Sequence, residues 1–600
     1  MKTKKLVIVE SPHKAHTIQS FLGDDYIVKS TKGHILELAS GGKYGMGVDI
    51  KNNFEPKYLI MEDKINMLQE LMDLAKNSKE VILASDNDRE GLAIARHIYD
   101  RLKDYNNTFK RVVFSEITKK EVLKAIDNYE DINSKNNTQI YYSQTARRVL
   151  DRIVGFTASP FLMQYFGPNL SAGRVQSVVV RMITDREEEI QTFIPEEYFT
   201  IQAKFSKDDQ QFIAKYDAKI TNKAIADKIK SELEQKNNAY IIASVEANEE
   251  KKKPFPPLIT SKLQQIMSKQ YKINSTRTMA AAQSLYEAGF ITYMRTDSVR
   301  ISDDAIKSVR AWLKENNHDI PKTANIFKNK NTSQDAHEAI RPTDVSNMPD
   351  SMSLIGDEKQ VYEVIWKYFA ASQMRPAIYN TLKVNVEVKN TEHTLTASGK
   401  ALKYPGFLSM LGEVDNSSID IPNLIVNDVV ILFGDKPITL ERKQTQPPPR
   451  YSEASLIKSL EEKEIGRPST YATLISTITN RKYVAQDNNI FYPTELGKKI
   501  TAELTKWFSF LEYNYTAKLE MELDKIAEGS LDYIKMLNDF YSTFKEELNK
   551  AYINKGSKPC SKCDGMMREL TNKKGQKFYG CGNYPRCKNT ESIPNVKNVA

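Results

Sequence analysis

All four cysteines of this chain lie within its last 45 residues, in two short pairs. Cys560 and Cys563 stand in CSKC, and Cys581 and Cys587 stand in CGNYPRC. Two such pairs, separated by a hairpin rich in Lys and Gly, supply the four thiolates of a tetrahedral zinc site. The ion replaces a hydrophobic core that so short a module cannot build. We therefore predict a C4 zinc ribbon over residues 556–592 with one structural Zn²⁺. Since no cysteine remains for a disulfide, we expect a reducing cytoplasm.

The same terminal segment carries most of the net positive charge. Residues 555–600 hold ten basic and three acidic residues, a net charge of +7 out of +9 for the whole chain. Three aromatic residues, Phe578, Tyr579 and Tyr584, lie among these cations. Cations follow a phosphate backbone and rings stack on bases, so the segment is predicted to bind single-stranded nucleic acid. The alternative is a solubilising tail, which explains neither the aromatic residues nor the metal site.

Length and composition predict several globular domains without a membrane span. The 600 residues are 40% hydrophobic and 27% charged, and no apolar run approaches the roughly 18 residues of a transmembrane helix. The N-terminal apolar run, LVIV, is too short for a signal peptide and is typical of a buried strand. Up to about residue 130, buried strands alternate with amphipathic helices, which predicts an α/β domain with a mostly parallel sheet.

Acidic residues follow two of these predicted strands. Asp86, Asp88 and Glu90 stand in SDNDREG directly after EVILA, and Glu10 ends the first strand, with Lys14 one helical turn later. Alternate residues at a strand end point to the same side, so we expect the three carboxylates to converge on Mg²⁺. Surface loops match this short acidic pattern often, and the pairing with Glu10 strengthens it.

One tyrosine stands out among the 30 in the chain. Tyr293 lies in GFITYMRTDSVRIS, two residues before Arg295. A phenol with a pKa of about 10 is a poor nucleophile at neutral pH. A neighbouring guanidinium favours the phenolate and stabilises charge on an attacked phosphate. Most tyrosines are packing residues, so the surrounding segment, rather than the residue type, marks Tyr293 as a candidate nucleophile.

Several long segments together resemble one known family. The strand ending in Glu10, paired with SDNDREG, resembles the Toprim domain of topoisomerases, primases and some nucleases. LYEAGFITYMRTDSVRIS closely resembles the active-site segment of the type IA DNA topoisomerases. Further segments resemble that family in the expected order, namely ARRVLDRIVGF at 146–156, LSAGRVQS at 170–177, QDAHEAIRPT at 334–343, QPPPRYSEASLIKSLEEKEIGRPSTYATLI at 446–475, FYPTELGK at 491–498 and TAKLEMELDKIAEG at 516–529. The 446–475 block and the cysteine ribbon are similar to the bacterial topoisomerase I branch.

The resemblance implies a multidomain fold of α/β and α+β parts that surrounds a hole admitting DNA. The implied parts are a Toprim domain over 1–135, a topoisomerase core over 136–553 and the zinc ribbon over 556–592. Within the core, the implied domains are a DNA-groove helical domain from about 140–195 with 430–550, a β-rich arch from 196–257 with 376–429, and a tyrosine domain from 258–375.

The resemblance also implies an ATP-independent reaction on single-stranded segments of negatively supercoiled DNA. In it Tyr293 forms a 5′-phosphotyrosyl bond, Glu10 is the general acid, Lys14 and Arg295 stabilise phosphate charge and His337 orients the reacting groups. Another strand then passes and the break reseals. The implied Mg²⁺ ligands are Glu10, Asp86, Asp88 and Glu90. The sequence contains no G-x₄-G-K-[ST] loop, in agreement with ATP independence.

The same family match assigns a set of DNA contacts. Without it, a run of charges such as that at 147–152 is more often a solvated helix face. The implied contacts are His34, Arg147, Arg148, Asp151, Arg152, Phe156, Ser171, Ala172, Gly173, Arg174, Val175, Gln176, Arg295, Arg341, Arg467, Ser469 and Thr470. The implied protein is a monomer of the bacterial nucleoid.

Three positions depart from the family pattern. Asn87 replaces the proline of DPDREGEAIA and Leu92 its second glutamate, and Leu36 stands where arginine is typical. The alternatives are the decatenating topoisomerase III branch, reverse gyrase, a Toprim primase and a single-strand-binding protein without activity. The absence of a helicase ATP motif disfavours reverse gyrase, ITYMRTDS disfavours a primase, and a covalent adduct would exclude the binding protein.

Overall fold

The computed structural model describes residues 4–41, 45–329, 337–414, 418–563, 565–572, 574–582, 584 and 587–593. The first three residues of the predicted segment 334–343, and five positions of the ribbon, lie outside the described residues. Among the described residues, no helix combines the length and apolarity that crossing a membrane requires.

The N-terminal part is a parallel sheet of four strands with helices against its faces, which confirms the α/β prediction. Strand order is β2-β1-β7-β8, and the central strands are buried because both faces are covered. The elements are β1 Lys5–Val9, α1 Pro12–Leu22, β2 Tyr26–Ser30, β3 Leu36–Leu38, β4 Val48–Asp49, β5 Glu55–Pro56, β6 Tyr58–Ile60, α2 Ile65–Asn77, β7 Val81–Leu83, α3 Arg89–Leu102, β8 Phe109–Arg111 and α4 Lys119–Asp127. Because β1 and β7 are neighbours, Glu10 and Asp86 leave the sheet side by side.

A helical unit combines two distant stretches of chain around one core. Leu150, Phe161 and Leu523 are fully buried in that core. Its elements are α5 Lys135–Phe166, α6 Gln176–Gln191, α13 Glu453–Glu462, α14 Tyr471–Asn480, β16 Val484–Asp487, β17 Ile490–Pro493, α15 Glu495–Trp507, α16 Tyr513–Ala527 and α17 Tyr533–Asn554. The long helix α5 connects this unit to the N-terminal sheet.

A second unit is a seven-stranded antiparallel sheet of order β10-β13-β12-β11-β14-β9-β15. Strand β10 pairs with both β13 and β9, so the sheet curls back on itself. The elements are β9 Glu197–Lys207, β10 Gln210–Tyr216, α7 Lys223–Leu233, β11 Tyr240–Lys252, β12 Ala377–Val388, β13 Thr394–Tyr404, α12 Leu408–Leu411, β14 Val429–Leu432 and β15 Ile438–Gln444. The sheet therefore continues beyond residue 429, where the sequence placed the end of the arch.

The stretch that carries Tyr293 lies between two strands of that sheet in the chain. Its elements are α8 Thr260–Ile266, a π-helical turn at Met267–Tyr271, α9 Ser275–Glu287, α10 Asp303–Glu315 and α11 Gly356–Ser372. Its core is continuous with one face of the N-terminal sheet, where Val9 and Ile18 join Leu285 and Tyr286. This shared core brings the tyrosine segment to the carboxyl ends of β1 and β7.

The C-terminal ribbon contains three antiparallel strands, β18 Met567–Thr571, β19 Lys577–Cys581 and β20 Thr590–Ser592. The ribbon also contacts the helical unit. Met566 belongs to that unit's core, and the Tyr165 and Ser557 hydroxyls are 2.6 Å apart. The Arg568 guanidinium lies 5.8 Å from the centre of the Tyr552 ring. The last helix and the ribbon thus share a packed boundary.

Candidate active site and metal centres

Glu10, Lys14 and Asp86 form a buried cluster at the ends of β1 and β7. The Asp86 backbone N–H donates to Glu10 Oε1 over 3.1 Å, and Lys14 Nζ donates to the Asp86 carboxylate. Ser11 caps α1 immediately after β1, which turns the fully buried Lys14 toward the strand ends. Burial, followed by the Asp86 charge, raises the pKa of Glu10 well above its usual value. Glu10 therefore holds a proton more firmly than an exposed glutamate does.

Tyr293 contacts this cluster through Asp88. Its hydroxyl donates to Asp88 Oδ2 over 2.5 Å, and its backbone N–H donates to the Ser115 carbonyl over 2.8 Å. Asp88 caps α3, because its Oδ1 accepts from the Gly91 N–H over 2.8 Å. Arg295 Nη1 lies 3.6 Å from Asp88 Oδ2. The structure thus brings the predicted nucleophile, an acidic residue and a guanidinium to one point.

The surroundings of Tyr293 keep its phenol protonated. Burial, followed by the charges of Asp88 and Asp86, raises the pKa of Tyr293 well above its usual value, and Arg295 only partly opposes this. The Tyr286 ring meets the Tyr293 ring edge-on at 5.2 Å and excludes solvent from that side. A proton acceptor lies within reach of this phenol, because Asp88 is hydrogen-bonded to it.

Glu90 has different partners from the two aspartates. It lies in the first turn of α3, where His34 Nε2 contacts one carboxylate oxygen and Gln144 Nε2 donates to the other over 3.3 Å. Burial opposes its ionisation, yet the His34 contact holds the pKa of Glu90 at about 2. The prediction that Asp86, Asp88 and Glu90 alternate along the end of a strand is wrong for Glu90. Helix α3 begins at Arg89, so Glu90 lies on a helix.

His337 reaches the same loop from the tyrosine side. Its Nε2 lies 2.6 Å from the backbone oxygen of Asn87. Asn87 stands where the family has proline, and it uses only its main chain in this contact. A small cavity of about 10 Å³ lies between His337 and Tyr293. The residues that line it are Asn87, Ser115, Thr292, Tyr293, Thr296, His337 and Glu338. His337 thus contacts the loop that carries Asp88 and lines the same cavity as Tyr293.

Arg341 lies at the contact between the N-terminal sheet and the tyrosine segment. It is buried, and its Nη2 is 2.7 Å from Glu338 and 2.9 Å from Glu116. Glu116 follows β8, whereas Glu338 precedes Arg341 on the tyrosine side. The expected DNA contact at Arg341 is therefore an ion pair across this boundary in the structure.

Several arginines expected to contact DNA are held by acidic side chains, above all by the fully buried Glu520. Arg174 is fully buried between Glu520, at 2.8 Å, and Asp151, at 3.2 Å. Arg147 lies 3.2 Å from the same Glu520, which is itself without exposure. Burial opposes the charge of Glu520, but these arginines hold its pKa far below the usual value. Arg174 is therefore a buried residue that joins α5, α16 and the SAGRVQ loop beneath the expected DNA groove.

Other expected contacts remain at the surface. Phe156 is 41% exposed, with the Arg152 guanidinium 4.7 Å from its ring centre, and Arg148 lies over Tyr58 at 5.9 Å. Ser469 is exposed, and His34 is partly exposed beside Glu90. These side chains present ring faces, cations and a hydroxyl at the surface, which are the groups that stack on bases and bind phosphates.

The loop SAGRVQ and the loop GRPST are held mainly by their own contacts. Ala172 and Val175 are buried, whereas Ser171, Gly173 and Gln176 are partly exposed. The Arg467 backbone N–H donates to Thr470 Oγ1 over 2.9 Å, which closes the second loop. Because the side chains of Ala172 and Val175 are buried, the DNA contacts expected at these two residues are limited to their main chain.

Sequence reasoning missed three charged residues of this region, namely the acids Glu520 and Asp524 and the arginine Arg89. Asp524 is 2.5 Å from Arg89 and 2.6 Å from Arg467, and Glu520 lies one turn earlier on α16. Both acids stand in TAKLEMELDKIAEG, four residues apart, so they share a helix face. That spacing was visible in the sequence. Their arginine partners are distant along the chain and could not be paired from it.

Within the part of the chain that the structure describes, the four cysteines form the one group of three or more possible metal ligands whose donor atoms are already gathered around a single point. Their sulfur atoms all lie within 4.8 Å of one another, with Cys560 and Cys587 3.8 Å apart and Cys563 and Cys581 3.4 Å apart. Four thiolates at zinc distance lie about 3.8 Å apart. Backbone N–H groups also point at the sulfurs of Cys560 and Cys563, each over 3.4 Å. The donor set fits zinc.

The comparisons with known proteins agree with this arrangement. A family model described as DNA topoisomerase matches residues 135–538, a Toprim domain model matches 5–117, and a topoisomerase DNA-binding C4 zinc finger model matches 557–596. Among solved structures, full-length topoisomerase I from Thermotoga maritima is 33% identical, with a TM-score of 0.78. That match covers 99% of this chain and 98% of the other.

A Toprim sheet, a topoisomerase core and a C4 ribbon define the class of type IA DNA topoisomerases, which relax DNA without ATP. Within that class, the chain belongs to the bacterial topoisomerase I family. Its Toprim domain binds Mg²⁺ and its ribbon holds one structural Zn²⁺.

Proposed function

We propose that Tyr293 is the residue that cleaves one DNA strand, and that the substrate is an unpaired segment of negatively supercoiled DNA. The observation that carries this proposal is the 2.5 Å hydrogen bond from the Tyr293 hydroxyl to Asp88 at the end of the Toprim sheet. In that position the phenol lies beside both Arg295 and the Glu10–Asp86–Lys14 cluster.

The proposed cleavage is a transesterification with four balanced changes. The Tyr293 oxygen bonds to phosphorus and the phenolic proton passes to Asp88 Oδ2. The bond between phosphorus and the 3′ oxygen breaks, and Glu10 donates its proton to that oxygen. The raised pKa of Glu10, caused by burial and the Asp86 charge, supports its role as the acid. Religation is the same path reversed, so no ATP is consumed.

Three cationic or polar side chains, Lys14, Arg295 and His337, assist the cleavage without forming or breaking a covalent bond. Lys14 and Arg295 place positive charge around the attacked phosphate, where charge grows in the transition state. His337 fixes the Asn87 carbonyl, which immediately precedes Asp88. We propose that His337 fixes the position of the loop at Asn87 and Asp88 relative to Tyr293.

The residues that would hold Mg²⁺ are Asp86, Asp88 and Glu90, with Glu10 beside them. Carboxylate oxygens are the ligands that Mg²⁺ prefers, so the donor chemistry fits, although each carboxylate also has a protein partner here. When bound, the ion supplies positive charge at the phosphate. Lys14 supplies part of that charge from the protein itself.

Strand passage requires the two DNA ends to part after cleavage. Tyr293 carries the 5′ phosphate, so the unit over about 258–375 must move away from the Toprim sheet. The curled seven-stranded sheet connects this unit to the rest of the protein during that movement.

We propose the domain limits predicted from the sequence, with the β-rich arch extended to Gln444. We further propose that the enzyme acts as a monomer in the bacterial nucleoid and that the strand follows His34, Arg148, Arg152, Phe156, Arg467 and Ser469.

The polarity of the covalent bond tests this proposal. A single-stranded oligonucleotide labelled at its 3′ end should stay attached to the protein after denaturation with detergent, because Tyr293 holds the 5′ phosphate of the downstream fragment. The same oligonucleotide labelled at its 5′ end should release its label. Retention of the 5′ label instead would refute the proposed chemistry, and retention of neither would refute covalent cleavage.

A further inference from the structure

The carboxylate of Asp524 joins two arginines that come from different units of the protein. One carboxylate oxygen is 2.5 Å from Arg89 Nη2 and the other is 2.6 Å from Arg467 Nη2. The exposed fractions of the three side chains are only 16–21%. Arg89 opens α3 on the Toprim side, whereas Arg467 lies in the loop before α14. One acid therefore sets the distance between the two guanidinium groups.

Both arginines lie on chain segments that adjoin the reaction region. Arg89 directly follows Asp88, which accepts the Tyr293 hydrogen bond. Arg467 lines a cavity of about 590 Å³ together with Thr296 and Asp297, which are three and four residues after Tyr293. The charges of Arg467 and Asp524 also act on Asp297, so the pair lies next to the segments that carry Asp88 and Tyr293.

Each guanidinium keeps donors for a further acceptor. Arg89 Nε is buried and donates to no partner among the described residues. Arg467 uses its Nη1 on the Gly466 carbonyl, over 2.9 Å, and its Nη2 on Asp524. A guanidinium has five donors in a rigid fork that matches a phosphate. The unused donors and the positive charge fit one more anion beside the pair.

A second acid on α16, Glu520, also lies close to one arginine of this pair. Glu520 lies one turn before Asp524 on α16, fully buried, with Arg467 Nη1 at 3.9 Å. Two neighbouring guanidinium groups repel each other, and an intervening carboxylate removes that repulsion. The acids of α16 therefore allow two cations to stand close together without a ligand.

We propose that Asp524 is a positioning residue that holds Arg89 and Arg467 as a paired site for one DNA phosphate adjacent to the scissile phosphate. This inference rests on the proposed function and adds a second phosphate site to it. The ligand is a backbone phosphodiester, recognised by charge and fork geometry rather than by a base. Asp524 itself does not touch the DNA.

The test combines Asp524→Asn with oligonucleotides that carry a single neutral methylphosphonate at successive positions around the cleavage site. With the native protein, one flanking position should lower the rate of adduct formation at saturating DNA on the order of tenfold. Asp524→Asn should lower the rate similarly on unmodified DNA. On the variant, the methylphosphonate at that position should have little further effect, because the paired site is already lost.

Two further variants separate positioning from stability. Arg89→Lys keeps the charge but loses the fork, so it should lose sensitivity to the same phosphate. Asp357→Asn removes a surface carboxylate that binds Arg277 over 2.6 and 2.8 Å, and it should retain the native rate and phosphate sensitivity. Non-covalent affinity, measured by fluorescence anisotropy in a Tyr293→Phe background, should change less than the cleavage rate.

Three results would overturn the inference. Native cleavage by Asp524→Asn with full methylphosphonate sensitivity would show that Asp524 positions nothing. Tighter binding together with faster cleavage would show that the carboxylate competes with DNA. A lower melting temperature with unchanged phosphate sensitivity would show a structural role only. Adduct formation by Tyr293→Phe would instead refute the proposed function and leave the pairing of the arginines untouched.

Discussion

At the scale of single residues, one buried acid determines where the groove arginines stand. Glu520 has no exposed surface, and it contacts Arg147 and Arg174, with Arg467 slightly further away. A buried charge is tolerated only when its partners are present. Removing the acid therefore affects three cations at once, whereas removing one cation leaves two partners for the acid.

We expect Glu520→Gln to lower the stability of the helical unit by about 3–5 kcal/mol, because it leaves buried guanidinium charge without its counter-ion. Urea denaturation followed by circular dichroism measures this loss. Glu512→Gln is the matched control, since Glu512 pairs with Arg181 at the exposed start of α16 and should change stability by less than about 1 kcal/mol. Equal losses in both variants would contradict the role given to Glu520.

The two aspartates of the strand ends should control the response to metal. Replacing Asp86 and Asp88 together by Asn keeps the side-chain shape but removes two anionic oxygens, so relaxation should need far more Mg²⁺ or stop. Titration of Mg²⁺ in a relaxation assay measures the shift. The control is Asp100→Asn, further along α3, which should leave the Mg²⁺ dependence unchanged. Unaltered Mg²⁺ dependence of the double variant would exclude these two residues as ligands.

The sequence marked Tyr293, Asp88 and Arg295 as candidates because a strand end and a long motif are local signals, and the structure brings the three side chains together. Which groups the expected DNA-binding arginines contact was harder to predict. Arg174 and Arg341 turned out to be buried ion pairs, since their acidic partners lie far away in the chain. Burial of a charge depends on such distant partners, and no local pattern reveals it.

At the scale of elements, one glycine sets how closely the tyrosine segment meets the Toprim sheet. Gly289 has a φ of +81°, and a Cβ atom there would lie 2.5 Å from the Ile117 carbonyl oxygen. Nearby, the Tyr293 N–H donates to Ser115. The backbone of residues 115–117 is therefore the surface on which the tyrosine segment rests.

Gly289→Ala should weaken adduct formation on the order of tenfold or more, because the clash moves Tyr293 away from Asp88. Gly23→Ala is the matched control, with a φ of +71° and nothing within 4 Å of the added Cβ. It should cost about 1 kcal/mol of stability through backbone strain alone and keep its cleavage rate. Similar cleavage by the two variants would show that this contact does not hold the tyrosine in place.

The ribbon should be separable from cleavage. A chain ending at Lys555 removes all four cysteines but none of the groups at Tyr293, so it should form the oligonucleotide adduct at a near-native rate. It should relax supercoiled DNA less processively, and the loss should grow with salt because a basic DNA contact is gone. Metal analysis should give about one Zn per intact chain and none in the shortened chain.

Full-length Cys587→Ser is the control for that truncation. It removes one zinc ligand while keeping the basic residues of the segment, so it should share the loss of bound Zn. If the shortened chain is folded but cannot cleave, the ribbon belongs to the reaction itself. The packing of Met566 and Arg568 against the helical unit makes this a real alternative to test.

Element types were predictable where periodicity was strong. The buried runs LVIV and EVILA became β1 and β7 because both faces of a parallel sheet are covered. The end of the arch was not predictable, since β15 is polar along most of its length and belongs to the sheet only through pairing with β9. Pairing between distant strands leaves little trace in a local pattern.

At the scale of the whole molecule, the reaction cycle depends on contacts that can break and re-form. The tyrosine unit meets the Toprim domain through hydrogen bonds, through ion pairs that include Arg341–Glu116 and Arg295–Asp88, and through the shared core. The energy for resealing is stored in the phosphotyrosyl bond, so relaxation should proceed with Mg²⁺ alone and added ATP should not change its rate. Gel assays of supercoiled plasmid with and without ATP measure this.

The most direct test of the account is to identify the residue that carries the DNA. Negatively supercoiled DNA is mixed with the protein and Mg²⁺, the reaction is stopped with detergent, the DNA is digested and the peptides are analysed by mass spectrometry. The account predicts a nucleotide linked through its 5′ phosphate to Tyr293, and none on any peptide of Tyr293→Phe. A nucleotide on another residue, or an adduct that persists in Tyr293→Phe, would contradict it.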